Sequence, residues 1–134
     1  TVLIKMPFEL LIDNFFIEIG KIHSVWDDGS TNDTSIQIAW QLNCADEDII
    51  YGYNISYCAL INSKRCVQPH QYQVITIPDR NNIYKFRLTS LRPYTKYNIS
   101  VAMISVINRL GPFSNSIIVQ TMEGSKLIIA MQIN

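Results

Sequence analysis

The chain has 134 residues, 11 basic and 11 acidic, with a formal net charge of zero and a pI near 6.6. That length suits one domain of ordinary size. The charge balance is no signature of nucleic-acid binding, which would want a basic patch, and no apolar run reaches the roughly 20 residues of a membrane-spanning helix.

The opening TVLIKMPFELLI is apolar but is interrupted by Lys5, Pro7 and Glu9. It has no small-residue cleavage site and does not read as a signal peptide. A start at Thr1 and not at Met points to an excised piece or a mature segment. Residues 1–16 read as a linker or the tail of a preceding segment. Ile17, Ile19, Ile22 and Val25 suggest a first strand, ended by the turn-rich DDGSTND. Ile36, Ile38 and Trp40 then alternate with Gln37 and Ala39, which predicts a strand over 35–42. Tyr51, Tyr53, Ile55 and Tyr57 alternate with Gly52, Asn54 and Ser56 and predict another over 50–58. Tyr72, Val74 and Thr76 mark a shorter strand, stopped by the turn Pro78-Asp79-Arg80-Asn81-Asn82. Tyr84, Phe86 and Leu88 alternate with charged Lys85 and Arg87. Tyr97, Ile99, Val101 and Met103 give the longest predicted strand, and Ile117 and Val119 the last, near 115–121. Residues 123–134 read as a C-terminal linker or tail with an apolar run from Leu127 to Met131. About seven strands at turn-punctuated intervals, without a convincing helix, predict an all-β sandwich.

The stretch LRPYTKYNISVAMISVIN carries a sharper signal. Tyr97 opens a long inner strand, where a ring can enter the core while its hydroxyl returns to the backbone of the preceding corner. Pro93, expected in the structural core with Trp40, Tyr53, Leu91 and Tyr97, sets one backbone angle at that corner and removes a donor. Leu91 plugs the bottom of the core, and Val101 follows Tyr97 on the same face. These residues resemble the Leu-x-Pro-x-Thr-x-Tyr corner and sixth strand of a fibronectin type III domain. SIQIAWQL resembles that family's second strand, with Trp40 as the core tryptophan. IIYGYNISYC resembles the third strand, with Tyr53 in the core, and GPFSNSIIVQT the last turn and strand. The resemblance covers residues 17–122. It departs from the family in lacking the proline-rich opening of the first strand and the proline that often follows the tryptophan.

The resemblance implies a seven-stranded immunoglobulin-like sandwich of the kind found in cytokine receptors (domeless-like ones included), receptor phosphatases and adhesion proteins. GPFSNS is similar to the Trp-Ser-x-Trp-Ser box of cytokine receptors, with Phe113 in place of the first Trp and no second Trp. The expected role is a non-catalytic extracellular protein-interaction module of a cell-surface receptor. The alternatives are a spacer or adhesion module in a tandem array, or an accessory domain of a secreted enzyme. The partners implied are a protein ligand or neighbouring domains, with no small-molecule substrate and with membrane association only through the parent chain.

Three sequons, at Asn32, Asn54 and Asn98, and three cysteines fit an extracellular setting. Three cysteine pairings are open. Cys58 with Cys66 is favoured, because ALINSKR between them reads as a hairpin loop that holds neighbours together, while Cys44 is left without an assigned partner. Strand parity sets Asn54 and Asn98 outward on adjacent strands of one sheet, so glycans there would mask that face. His23 and His70 have no Cys or His at metal spacing, so no metal site is expected. Asp27-Asp28-Gly29-Ser30 and Asp46-Glu47-Asp48 lack the ligand order of a calcium loop and read as solvated turns. There is no nucleophile elbow, phosphate loop or dinucleotide loop, so neither a cofactor nor an enzyme is expected. The loop INRLGPFS between the last two strands would expose Asn108, Arg109 and Leu110 at its tip, a basic residue beside an apolar one, and is the candidate binding loop.

Overall fold

The computed structural model describes residues 20–41, 50–62, 64–66, 70–76 and 83–124. Eight strands follow in chain order: β1 (Val25–Asp27), β2 (Ile36–Gln41), β3 (Ile50–Ile61), β4 (Arg65–Cys66), β5 (Gln71–Thr76), β6 (Ile83–Leu88), β7 (Lys96–Ser105) and β8 (Ile117–Gln120). They form two antiparallel sheets. One has the order β1-β2-β6; in the other, β3 and β7 lie side by side with β8 beyond β7 and both β4 and β5 paired to β3. Among the described residues there is no helix.

The core lies between the sheets. Ile36, Ile38 and Trp40 of β2 face Tyr53 and Ile55 of β3 and Tyr97, Ile99, Val101 and Met103 of β7, all buried. Period-two alternation places these residues on the inner faces, and each buried Ile or Val contributes roughly 1.5–3 kcal/mol relative to exposure. Trp40 stacks on its sheet neighbour Tyr84 at a centroid distance of 6.3 Å, and both rings meet Tyr53 of the other sheet, at 5.0 and 5.2 Å, which ties the two sheets together. At the bottom, the Arg92 amide donates to the Tyr97 hydroxyl at 2.8 Å, and Leu91 is buried. Pro93 is exposed and is not a core residue. It turns the chain at the rim, packs near Gly124, and its carbonyl accepts from the Thr95 hydroxyl.

Five further expectations need correction. The stretch expected as one strand around 72–76 is preceded by the separate two-residue β4, so the described residues hold eight strands, one more than the seven expected. The hairpin turn is tighter than ALINSKR, because Ala59, Leu60 and Ile61 still belong to β3 and Leu60 pairs with Cys66. That extension makes β3, with 12 residues, longer than the 10 residues of β7. Tyr51 does not share a face with Tyr53. The β3–β7 register slips between Ile50 and Gly52, so Ile50 is buried in its stead and Tyr51 is exposed; one inserted residue reverses parity on one side of a bulge. The first strand starts only at Val25, although Ile22 before it is fully buried. Ile17, Ile19, Cys44, Asp46-Glu47-Asp48, the turn at 78–82 and the Leu127–Met131 run lie outside the described residues.

Candidate functional site

The loop that leaves β7 is organised by one buried side chain. Ser105 ends β7 with no exposure to solvent. Its Oγ accepts from the amides of Ile107 (3.3 Å) and Arg109 (3.1 Å). Its own amide donates to the Arg109 carbonyl at 2.9 Å, and its carbonyl accepts from the Asn108 amide at 2.8 Å. Asn108 has φ 62°, a left-handed conformation that Asn tolerates better than most residues. A turn through two residues closed by a left-handed third is a common way to reverse a hairpin. The Gly111 amide then donates to the Met103 carbonyl, and Leu110 bridges Ile104.

This network turns the tip's side chains outward. Val106 is 54% exposed, Ile107 39% and Leu110 53%, and Asn108 and Arg109 are exposed beside them. The candidate residues Asn108, Arg109 and Leu110 thus lie together, but with different jobs: Asn108 makes the turn, while Arg109 and Leu110 present side chains. Val106 and Ile107 extend the patch. From the sequence, Val106 reads as strand because it favours extended structure, and Ile107 opens the loop INRLGPFS without being placed at its tip. The left-handed Asn108 three residues after a serine was the signal that would have separated them.

The outward face of the five-stranded sheet holds two sequons. Asn54 lies between Val74 and Ala102, and Asn98 between Cys58 and Ile118. Both asparagines are half-buried. The Asn54 Oδ1 is buried and, among the described residues, accepts no hydrogen bond. Asn32 is exposed in the β1–β2 turn, where its Oδ1 accepts from Thr34 N, Ser35 N and Ser35 Oγ. Cys58 and Cys66 form a disulfide with a Cα separation of 5.5 Å, inside the range that bridged cysteines occupy. His70 joins them: its ring nitrogen and both sulfurs lie within 4.8 Å of one another. Sequence spacing did not reveal this trio, because strand pairing and not chain proximity brings β3 alongside the start of β5.

The acidic turn binds itself. Asp27 Oδ1 accepts from Gly29 N and Thr31 Oγ1, and Asp28 Oδ1 accepts from Ser30 N and Oγ. Asp28 Oδ2 accepts from Gln37 Nε2 at 2.8 Å, with Lys85 Nζ at 3.9 Å. The Ser30 hydroxyl, then the Ser30 amide, hold the Asp28 carboxyl below its usual range. These carboxylates serve a turn, since their lone pairs are met by the chain itself. Arg87 adds bonds to Ser35 Oγ (2.6 Å) and Ser30 O (3.1 Å), fastening this turn to β6.

A family model of the fibronectin type III domain matches residues 28–120. No curated protein matches the chain. Among solved structures, the FN5 domain of Drosophila Lar is similar at 27% identity, with a TM-score of 0.58 over 78% of this chain and 98% of that one. The third fibronectin III domain of the human KIAA0343 protein matches at 22% identity and a TM-score of 0.61, over 81% of this chain and 86% of that one. The FN1–FN3 domains of chicken CNTN1 match at 22% identity and 0.62, over 78% of this chain and 31% of that one.

Proposed function

The chain belongs to the fibronectin type III domain family, and we propose that it is a non-catalytic, extracellular protein-interaction module of a cell-surface receptor that meets its partner through the β7–β8 loop. The observation that carries this reading is the loop tip itself: three exposed aliphatic side chains and Arg109 on a backbone already locked by Ser105. A pre-ordered loop loses little conformational entropy on binding, and a basic residue amid apolar ones is a common composition for an interface anchor. Domains of this family generally mediate protein contacts and are generally non-catalytic. The Cys58–Cys66 disulfide and the family's usual setting favour an extracellular location. We further propose glycans at Asn32, Asn54 and Asn98. Those on Asn54 and Asn98 would cover the outward face of the five-stranded sheet and leave the loop end free.

The test is a screen of the multimerised chain against an array of extracellular protein domains. The expected result is a binder that is lost with Leu110→Asp and with Ile107→Asp and kept with Val74→Asp on the glycan-bearing face. Binding that Val74→Asp abolishes would move the interface to the sheet. No binder across the array would favour a spacer in a tandem array over a receptor's ligand-binding module.

A further inference from the structure

We propose that Cys58, Cys66 and His70 are a redox-gated Zn²⁺ site: closed as a disulfide when oxidised, and a three-ligand metal site when the bridge is reduced. The three donors come from three separate segments, β3, β4 and the residue before β5, yet their ligand atoms lie within 4.8 Å of one another. Zinc at about 2.3 Å from sulfur and about 2.0–2.1 Å from imidazole nitrogen sets tetrahedral ligands roughly 3.5–3.8 Å apart. Once the sulfurs separate, side-chain rotation is enough to reach that spacing. The fourth position is left for water.

The imidazole is already positioned. Its Nδ1 lies 3.4 Å from the Ser56 Oγ, and its ring stacks on Tyr72 at a centroid distance of 6.4 Å. A metal-binding histidine is commonly oriented by such a partner on its other side. Cys66 and His70 are half-buried, so both reductant and ion can reach them, while Cys58 is buried. The chemistry balances with a dithiol reductant. The dithiol passes two electrons and two protons to the bridge and leaves as its cyclic disulfide. Zn²⁺ then displaces the two thiol protons to solvent. The oxidised bridge fastens β4 to β3, and the metal-bound form would fasten the start of β5 to both.

The experiment uses the full chain carrying Cys44→Ser, so that the thiols counted are those of the hairpin. Co²⁺ is titrated into the dithiol-reduced and the oxidised protein. The reduced chain is expected to bind one equivalent, with thiolate-to-cobalt charge-transfer absorption and the visible bands of a tetrahedral site, and to release it to Zn²⁺. The oxidised chain is expected to show neither band. His70→Ala should weaken binding by more than the roughly 10–100-fold that loss of an outer-shell partner costs, and His70→Cys should keep it. Amide dispersion of β7 by NMR reports that each variant is folded. If reduction unfolds the chain, Zn²⁺ is expected to restore the dispersed spectrum. Absence of the charge-transfer band, equal affinity in His70→Ala, or failure of Zn²⁺ to restore a reduced and unfolded chain would each overturn the proposal.

Discussion

The two hairpins of the five-stranded sheet are closed by opposite means. The β3–β4 hairpin pairs only two residues before β4 ends, and a covalent bridge holds it. The β7–β8 loop has no covalent link and is closed by hydrogen bonds that converge on one buried serine. A short ladder gains little from pairing, so a cross-link that removes freedom from the unfolded chain is the effective clasp. A loop tied at its base by its own backbone leaves its tip side chains free to face outward. The covalent hairpin exposes Ile61 near its turn, while the hydrogen-bonded one sets Val106, Ile107 and Leu110 outward together.

The comparison breaks first at Gly52. A Cβ there would run into the backbone carbonyl of Ile75 on β5. Gly52→Ala must push β5 from β3 at the bulge, and a loss of roughly 3 kcal/mol is expected from urea unfolding. An unchanged midpoint would mean that β5 yields freely. Next is the clasp itself. Replacing both Cys58 and Cys66 by Ser opens a loop of sequence separation 8, for which chain entropy gives about 2–3 kcal/mol. The β7–β8 loop should keep its amide protection from hydrogen exchange in that variant.

Ser105→Ala sharpens the contrast from the other side. It removes the acceptor for two amides, and about 1 kcal/mol is expected, with faster exchange at Ile107 and Arg109 and no change across β3–β5. A global loss of protection instead would make Ser105 part of the core and not the loop's anchor. The smallest effect concerns pH. Burial, and then the neighbouring Tyr97, raise the Tyr57 phenol above its ordinary value of 10.0. The unfolded chain therefore ionises at lower pH than the folded one, and stability declines as pH rises past about 10. Tyr57→Phe is expected to flatten that decline when urea midpoints at roughly pH 9 and roughly pH 11 are compared.

The corner illustrates what local chemistry makes legible. Tyr97 meets the Arg92 amide five residues back, an interaction within the reach of one turn, and the residues that build it are adjacent in the chain. The alternation of Ile36, Ile38 and Trp40 is legible for the same reason, since a pleated strand with one buried face imposes period two on its own sequence. Tyr51 shows where this reading stops. Its alternation with Tyr53 is unbroken, yet the partner strand β7 forces a bulge and turns it out. Pro93 is a corner residue in sequence and a rim residue in space, because a proline that sets a turn need not be packed. In the candidate site, Arg109 and Leu110 stood out as a basic-apolar pair. Ser105, which arranges them, did not, because a serine at a strand end acquires its role only from the loop that folds over it.

The amino-acid sequence by itself determined the sandwich class, the inner-face residues of β2, β3 and β7 and the corner at Tyr97. Each of these rests on interactions between residues close in the chain or on a strand's own periodicity. Only the tertiary structure decided the bulge at Gly52, the outward set of Val106 and Ile107, and the meeting of His70 with Cys58 and Cys66. Those depend on the register between strands distant in sequence, and register is settled by packing across the whole sheet.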